Sequence, residues 1–375
     1  MSGTIDDNIT NILKEEMEVE NKRFEEIYEG LEGLQYFISL NADGKRIRGT
    51  LLLLCYLLAE MYKEERDIDD LSEEELRENL KEQMPLAAGI EFCQTAILIQ
   101  DDVIDGSNIR RDRKAVHVSL YEDADSSFYH QKKESEEAAI LLGSIAFCYA
   151  YELIRKACYN KQNGDVMDQF RKMVYKTLGG EMLDVTVPLR YKENTSNGET
   201  YSEAEDIAED IAGLKTAEYT FAFPMMAGFM LAGIKEEQNV LEAGKKLGVA
   251  YQLKNDFDGL EEMLKRGEIS SDIIRFRLTY INALLMQDSK MEEYILKYDG
   301  TEQKRKEILE YVKEHEKEIK EKINEEQEKL QKEAFEMLRK LIFLDDKNLA
   351  ILLEYIEKSL SIVAVHAHAE PRANI

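Results

Sequence analysis

Proline is scarce in this chain, and its scarcity restricts the possible folds more than any other feature. Four prolines occur in 375 residues, about a quarter of average usage: Pro85, Pro188, Pro224 and Pro371. Between them lie long stretches of Leu, Glu, Lys and Ala, which favour helices, whereas proline breaks them. No alternating run of β-branched residues bounded by turn signals stands out. The sequence therefore predicts an all-α fold.

The spacing of apolar residues indicates where the main helices lie. We expect helices over residues 5–30, 51–61, 85–99, 138–156, 165–187, 202–231 and 239–264, the fifth ending at Pro188. Residues 64–82 hold ten acidic residues and form an acidic insert, expected as a loop or a short exposed helix. Residues 302–333 predict one long charged helix with a narrow apolar stripe, which either packs along one edge of the bundle or binds a second chain.

Charge and composition limit the partners of the protein. The formal net charge is −27, so we expect neither nucleic acid nor an anionic lipid surface as a main partner. The N-terminus lacks the apolar segment of a signal peptide, and no apolar run reaches the roughly 20 residues of a membrane span. No Gly-, Ser- or Pro-rich linker divides the chain. We expect a cytoplasmic protein with a single domain over residues 1–375.

Three aspartates form the first candidate site. Asp101, Asp102 and Asp105 follow an apolar helix, and residues four apart share one helix face. Like charges at this spacing destabilise a bare helix, but Mg²⁺ prefers carboxylate oxygens and completes its shell with water and phosphate. Arg110 and Arg111 follow closely, and arginine binds phosphate oxygens through two parallel hydrogen bonds. This combination indicates a site where metal ions and cations hold a diphosphate.

Three further segments carry polar groups beside apolar helices. Gly44-Lys45-Arg46-Ile47-Arg48 places three cations at a helix start, where a bound anion would offset their clash with the helix dipole. Lys215-Thr216 lies among apolar and small residues, so Lys215 either extends to the surface or faces a phosphate. Gln252, Asn255 and Asp256 share a helix face and form either a second set of oxygen ligands or a solvated face.

Taken in order, these segments resemble the all-trans polyprenyl diphosphate synthases, the farnesyl and geranylgeranyl diphosphate synthase group. The resemblance runs from about residue 41 to 281, and includes Gly179-Gly180-Glu181-Met182-Leu183-Asp184 and Tyr251-Gln252-Leu253-Lys254-Asn255-Asp256. It implies a bundle of ten or more mostly antiparallel helices around a deep cavity, and a homodimer. It also implies that an allylic diphosphate ionises with the help of three Mg²⁺ ions, after which isopentenyl diphosphate attacks the carbocation and a proton is lost.

The resemblance also implies a role for each matching residue. Asp101, Asp102 and Asp105 would be Mg²⁺ ligands, with Asp256 and Asn255 on the opposite side. The residues implied to bind the allylic diphosphate are Arg110, Lys215, Thr216 and Gln252. The residues implied to bind isopentenyl diphosphate are Lys45, Arg48, Arg111 and Gln94, the last of which stands where many members have histidine. Arg277 stands where the family has a substrate-binding lysine.

Two departures from the family pattern bear on function. The second aspartate motif falls on Asn255, Asp256 and Gly259, so only its middle carboxylate remains and the third metal site is expected to be weaker. Asp258 would compensate only if the local helix were irregular. In the family, large aromatic residues before the first motif limit product length, but this chain has Cys93, Ala96 and Ile97 there. We therefore expect a product of twenty carbons or more.

Three alternatives remain open from the sequence. Asn255-Asp256-Phe257-Asp258-Gly259 partly resembles the second metal motif of class I terpene cyclases, but position 263 is Met rather than Glu. A cyclase also has no need for an isopentenyl diphosphate site. The incomplete motif is compatible with a non-catalytic regulatory subunit as well. Transfer of the prenyl group to another acceptor is the third alternative.

Overall fold

The structure, a computed structural model, describes residues 3–159, 164–196, 204–235 and 238–361. These residues are almost entirely helical, which confirms the predicted all-α fold. The α-helices are α1 (Ile5–Ile27), α2 (Leu34–Ala42), α3 (Ile47–Glu64), α4 (Glu73–Leu80), α5 (Met84–Asp105), α6 (Val116–Glu122), α7 (Lys132–Tyr159), α8 (Gly164–Ser196), α9 (Ala204–Ala212), α10 (Phe223–Leu231), α11 (Gln238–Arg266), α12 (Ser271–Ile274), α13 (Tyr280–Leu285), α14 (Ser289–Leu296), α15 (Glu302–Glu314), α16 (Glu316–Leu338) and α17 (Asp346–Leu360). A 3₁₀ turn covers Ile68–Asp70, a π-helix covers Gly213–Ala222, and strands β1 (Ile109–Arg110) and β2 (Arg113–Lys114) form a hairpin.

Helix α5 lies at the centre of the bundle and carries the first aspartate motif at its C-terminal end. It is apolar around most of its circumference, which is the pattern of a helix buried on all sides. Gly89 lets α7 approach closely, because a Cβ atom there would lie 2.6 Å from Ile154 and 3.0 Å from the Ala150 carbonyl oxygen. The helix ends at Gly106, whose φ of +59° is readily adopted by glycine. The aspartates are thus held on a rigid support.

The predicted end of a helix at Pro188 is wrong. Helix α8 continues through Pro188 to Ser196, with the proline inside it. Packing beyond the proline explains why the helix continues, since Tyr191 is buried and its ring centre lies 5.8 Å from that of Phe276. Contacts of this kind can outweigh the local cost of one proline.

The prediction of one long helix over residues 302–333 is also wrong, because the helix is interrupted at His315, between α15 and α16. The His315 ring stacks on Tyr311, and its Nδ1 lies 2.9 Å from the Tyr311 carbonyl oxygen, which also accepts the last backbone hydrogen bond of α15 from the His315 N–H. The apolar stripe is buried within the chain, where α16 packs along α11. This arrangement matches the expected packing along one edge of the bundle.

The acidic insert at residues 64–82 forms the 3₁₀ turn and α4, as expected for a short surface element. Ser72 and Glu75 cap α4 reciprocally, because each side chain accepts a hydrogen bond from the other residue's backbone N–H. Leu76 and Leu80 are fully buried and attach the insert to the core.

Among the described helices, α7 alone is long and apolar enough to span a membrane by length and composition. The sequence had predicted no such segment. A core helix meets the same criteria, and α7 packs along α5, with 44% of its most apolar window buried. Packing against α5 therefore accounts for part of its apolar character, while Ile140, Leu141 and Tyr151 stay exposed.

Candidate active site

A cavity of about 900 Å³ opens at the C-terminal end of α5. Its walls come from α5, α8, α9, the π-helix, α11 and the segment around α12, with contributions from residues 43–48 and 107–112. The predicted residues that line it are Lys45, Arg48, Gln94, Ile97, Asp101, Asp105, Arg110, Arg111, Lys215, Thr216, Gln252, Asn255, Asp256 and Arg277. Its size is in the range of small-molecule sites. The structure therefore brings together segments more than 200 residues apart.

The first aspartate motif does not present three equivalent carboxylates. Asp101 and Asp105 face the cavity, as expected for residues four apart on α5. Asp102 does not line the cavity, and its side chain is 1% exposed. Asp102 accepts a hydrogen bond of 2.7 Å from Nε of Arg110, while its Oδ2 has no hydrogen-bond partner. A buried carboxylate oxygen without a partner is costly, and a cation would satisfy it.

The hairpin β1–β2 directs Arg110 back onto the end of α5. Its turn consists of Arg111 and Asp112, both with positive φ. Arg110 binds Asp102 and also lies 3.6 Å from Asp101. Arg275 supports the same helix end from the other side, because its Nη1 donates to the Ile104 carbonyl oxygen at 2.6 Å. These contacts fix the direction of the motif.

Lys215 is the electrostatic centre of the site. Its Nζ lies 3.0 Å from Asp101, 2.9 Å from Glu181 and 2.9 Å from Asp184. The lysine lies in the π-helix, a rare conformation that is often found at functional sites. Close packing lets it reach α8, since a Cβ atom at Gly180 would lie 2.4 Å from the Lys215 amide nitrogen. Lys215 therefore faces the cavity instead of extending to the surface.

Burial and ion pairing shift the pKa values of these acids in opposite directions. Burial raises the pKa of Glu181 to about 7, although Lys215 partly opposes the shift. Burial also raises the pKa of Asp102 to about 6, with Arg110 opposing it. Burial acts on Asp101 too, but Lys215 and Arg110 outweigh it and lower its pKa. The uptake of cationic ligands at this site is therefore coupled to the loss of protons.

The second cluster lies across the cavity on α11. Gln252 accepts a hydrogen bond of 2.8 Å from the Thr216 hydroxyl and donates one of 2.9 Å to Asp256. Burial raises the pKa of Asp256 to about 7. Asn255 lines the cavity and is exposed. Asp258 also lines the cavity, but α11 is a regular helix here, and the Asp258 carboxylate pairs with Lys254 and is 43% exposed.

Asp272, in α12, is a cavity residue that the sequence reasoning missed. It lines the same cavity as Asp256, and its charge contributes to raising the pKa of Asp256. Burial, Asp105 and Asp184 together raise the pKa of Asp272 to about 6. Its carboxylate has no hydrogen bond or ion pair within the described part of the chain, unlike the other acids of the inner site. The wall with fewer motif carboxylates thus gains one from another segment.

Arg277 joins the two sides of the site. Its Nη2 donates to Asp105 at 2.6 Å and its Nη1 donates to the Asp184 carbonyl oxygen at 3.0 Å. The side chain is 7% exposed. A lysine, which the family has at this position, lacks the planar guanidinium group that makes both contacts in this chain.

A separate group of cations lies on the part of the cavity wall formed by residues 43–48 and the β1–β2 hairpin. Lys45, Arg48 and Arg111 all line the cavity. Arg48 donates to the Thr220 hydroxyl at 2.8 Å and stacks 4.2 Å from the centre of the Tyr219 ring. Arg111 donates to the Leu40 carbonyl oxygen at 2.8 Å. Among the described residues, none of these three cations forms an ion pair with a carboxylate.

The residues predicted to limit product length occupy different positions. Ile97 lines the cavity, whereas Ala96 and Cys93 are fully buried and do not. The Ala96 carbonyl oxygen faces Gly143 of α7, at 3.0 Å from the position a Cβ atom would take. Ile97 is therefore the member of this set that a ligand in the cavity contacts, and the influence of Ala96 and Cys93 stays a prediction.

Glu181 and Asp184 belong to the segment of residues 179–184, but the sequence alone did not predict a function for either residue. Their spacing of three places both on one face of α8, which is the signal that could have identified them. In the described residues, no three carboxylate, imidazole or thiol groups already converge as a metal site. The reason is visible in the contacts, because Lys215, Arg110 and Arg277 occupy the carboxylates instead.

Comparisons with known proteins identify the family of this chain. The family model described as polyprenyl synthetase matches residues 32–325. The short chain isoprenyl diphosphate synthase of Methanocaldococcus jannaschii is 25% identical over 317 residues, covering 82% of this chain and 83% of that protein. The geranylgeranyl diphosphate synthase of Methanosarcina mazei is 27% identical over 256 residues, covering 65% of this chain and 64% of that protein.

A solved structure supports the same fold. The geranylgeranyl pyrophosphate synthase of Corynebacterium glutamicum, in complex with isoprenyl diphosphate and magnesium, superposes with a TM-score of 0.75 at 21% identity, covering 95% of this chain and 99% of that one. Since the family model spans most of the chain, the chain belongs to the polyprenyl synthetase family and is a prenyltransferase of the prenyl diphosphate synthase type, as its sequence predicted.

Proposed function

We propose that this enzyme condenses isopentenyl diphosphate with an allylic prenyl diphosphate to give a trans-polyprenyl diphosphate. The observation that carries the proposal is the presence of two distinct cation groups in one cavity. Lys215 and Arg110 lie among the carboxylates, whereas Lys45, Arg48 and Arg111 have no carboxylate partner. Guanidinium and ammonium groups that line a cavity without a carboxylate partner favour a second anionic substrate. A cyclase acts on a single diphosphate and would not require them.

The side chains have distinct roles in this proposal. The groups that hold the allylic diphosphate are Arg110, Lys215, Thr216 and Gln252. Those that hold isopentenyl diphosphate are Lys45, Arg48, Arg111 and Gln94. Arg277 fixes Asp105 and Asp184 and adds positive charge where negative charge develops.

The donor set fits Mg²⁺, which prefers carboxylate oxygens, because Asp101, Asp105 and Asp256 line the cavity and the buried Oδ2 of Asp102 beside them has no hydrogen-bond partner. Asp101, Asp102 and Asp105 would hold ions on one wall, and Asp256 and Asn255 on the other. We propose three ions, with the third bound more weakly because Asn255 and Gly259 add no charge. When bound, Mg²⁺ stabilises the charge that develops on the leaving diphosphate. In the absence of Mg²⁺, Lys215 pairs with Asp101 and Arg277 pairs with Asp105.

We further propose a product of twenty carbons or more. Ile97 is the α5 side chain at the cavity wall in the region where a large aromatic residue would limit growth, and the neighbouring positions are Ala96 and Cys93. An aliphatic side chain leaves more space than an aromatic one for an extended prenyl chain.

The test compares one substrate with two. The protein is incubated with Mg²⁺ and farnesyl diphosphate, with and without isopentenyl diphosphate. We expect a longer prenyl diphosphate only when isopentenyl diphosphate is present. Release of a hydrocarbon from farnesyl diphosphate alone would support a cyclase. Absence of turnover with allylic substrates from five to twenty carbons would support a regulatory subunit.

We propose that the protein is a cytoplasmic homodimer in which residues 1–375 form one domain. An apolar face on α7 and α8 stays exposed in the single chain and supports the pairing. Its residues are Ile140, Leu141, Tyr151, Tyr159, Tyr175, Leu178, Met182, Leu183 and Leu189. Exposed apolar surface of this extent is typical of interaction sites. Light scattering should give the mass of a dimer, and Leu141→Glu with Tyr175→Glu should give the mass of a monomer; a monomeric wild-type protein would contradict the proposal.

A further inference from the structure

A buried ion pair lies beside Lys45, Arg48 and Arg111, and its arginine, Arg46, also borders the cavity. Arg46 is 2% exposed and Glu91 of α5 is 0% exposed, and Nη1 of Arg46 lies 3.6 Å from Oε2 of Glu91. Arg46 belongs to the segment that carries Lys45 and Arg48, but its own contacts differ from theirs. The difference points to a separate role.

Arg46 connects two helices through its guanidinium group. It donates hydrogen bonds to the carbonyl oxygens of Asn41 and Ala42 at the end of α2, the second at 2.9 Å. These carbonyls have no partner within the helix, and a cation is favoured beside them. The residue itself has φ of +60°, an uncommon conformation for a side chain other than glycine, asparagine or aspartate. Such a conformation persists where surrounding contacts hold it.

Glu91 connects the pair to a third helix. Its Oε1 accepts a hydrogen bond of 2.8 Å from the Gly49 amide in the first turn of α3. Glu91 and Arg46 thus tie the end of α2 and the start of α3 to α5. Lys45 and Arg48 lie on either side of Arg46, so this connection sets where both of them point.

Glu91 also balances positive charge in a crowded region. Burial lowers the pKa of Arg111, Glu91 opposes the shift, and Arg46, Arg48 and Arg110 reinforce it. Without a buried carboxylate, the guanidinium groups would repel one another and the segment would move outward.

We infer that Arg46 and Glu91 act together as positioning residues for the second substrate, holding Lys45 and Arg48 in place without contacting that substrate. The inference rests on the proposed function, because it takes isopentenyl diphosphate as the ligand of Lys45, Arg48 and Arg111. It predicts an effect on the binding of that substrate more than on the chemical step.

Glu91→Gln gives a test with two opposite outcomes. Glutamine keeps the size of the side chain and an oxygen for the Gly49 amide, but it removes the charge that holds Arg46. We expect the KM for isopentenyl diphosphate to rise about tenfold, with kcat and the KM for the allylic substrate within about threefold. If Glu91 acted only through its charge, removing it would make the region more positive and lower this KM. A lower or unchanged KM would therefore overturn the inference.

Arg46→Met, alone and together with Glu91→Gln, separates positioning from direct contact. If the two residues act as a unit, the double variant has about the same KM as either single variant. If Arg46 contacts the substrate, its removal costs as much in the Glu91→Gln protein as in the wild type, and the inference is wrong. Arg46→Lys keeps the charge but not the planar group, and should give a smaller rise in the same KM.

Two controls exclude trivial causes. Thermal melting shows that each variant is folded at the assay temperature, and Arg46→Lys provides the test if Glu91→Gln does not fold. Lys306→Met with Glu310→Gln removes an exposed pair on α15 and should leave all constants unchanged. A wild-type protein that does not use isopentenyl diphosphate would contradict the proposed function, whereas normal condensation with an unchanged KM in the variants would contradict only this inference.

Discussion

The two walls of the cavity hold their carboxylates in different ways. On the α5 wall, Asp101 and Asp105 come from one helix turn and are paired with Lys215 and Arg277. On the α11 wall, the motif contributes Asp256, and Asp272 comes from a separate segment without a cationic partner. Asp101 and Asp105 are therefore paired with cations before any metal ion binds, whereas Asp272 is not. The comparison indicates that one wall depends on local sequence and the other on tertiary structure.

The largest expected effect on activity comes from a substitution on the α5 wall. Asp101→Asn removes a charge that faces the cavity and contacts both Lys215 and Arg110. We expect kcat to fall by about 10²–10³-fold, because the group acts where charge develops in the reaction. Steady-state kinetics measure the loss. Asp168→Asn, at an exposed position of α8, is the control and should leave kcat unchanged; an active Asp101→Asn enzyme would remove this wall from the mechanism.

A smaller loss is expected on the opposite wall from Asp272→Asn. If Asp272 supplies the carboxylate that the motif lacks, kcat should fall by about 10–100-fold and the Mg²⁺ concentration for half-maximal rate should rise. Asp258→Asn is a matched control within the motif segment, since Asp258 pairs with Lys254 at the rim. A larger effect from Asp258 than from Asp272 would show that the motif segment, not α12, completes the wall.

The α5 wall is also expected to limit product length below the motif. Ile97→Phe places an aromatic ring at the cavity wall, and Ala96→Phe adds bulk one position earlier. Both should shorten the product by one or more five-carbon units, as measured by chromatography of the dephosphorylated products. Ile99→Phe is the control for Ile97→Phe, because Ile99 is buried and does not line the cavity. An unchanged product distribution in both variants would show that another wall sets the length.

Adding charge to the α11 wall should strengthen metal binding. Asn255→Asp restores one motif carboxylate, so the Mg²⁺ concentration for half-maximal rate should fall several-fold, because ligand charge tunes the affinity of such sites. The same variant should melt at a lower temperature without Mg²⁺, since Asp256 and Asp272 already repel each other. If the Mg²⁺ dependence is the same as in the wild type, the third site does not lack charge.

The smallest expected effect is on pH dependence. Burial raises the pKa of Glu181 and Asp256 to about 7 and that of Asp102 and Asp272 to about 6. Since these values lie above those of an unfolded chain, about 4, the metal-free protein loses stability as pH rises from about 4 to 7. Mg²⁺ with inorganic pyrophosphate favours the charged carboxylates. The increase in Tm that Mg²⁺ and pyrophosphate produce should therefore grow between pH 6 and 8, by about 2–4 °C. A constant effect over this range would contradict the assignment.

The contrast between the walls also explains what the sequence could predict. The α5 motif was predictable because its geometry follows from helix periodicity within five residues. Asp272 was not, because it lies seventeen positions after Asn255 and reaches the wall only through the fold. Lys215 remained ambiguous for the same reason, since its three partners lie on α5 and α8. The helix break at His315 and the continuation through Pro188 were missed because side-chain contacts decided against local propensity.

The most direct test of the central claim is the mass of the product formed from isopentenyl diphosphate, Mg²⁺ and each allylic primer in turn. The two cation groups predict a lengthened prenyl diphosphate that forms only when isopentenyl diphosphate and a primer are both present, and the aliphatic Ile97 at the cavity wall predicts at least twenty carbons. A product of the same carbon number as the primer, or a hydrocarbon formed without isopentenyl diphosphate, would show that Lys45, Arg48 and Arg111 do not bind a second diphosphate substrate.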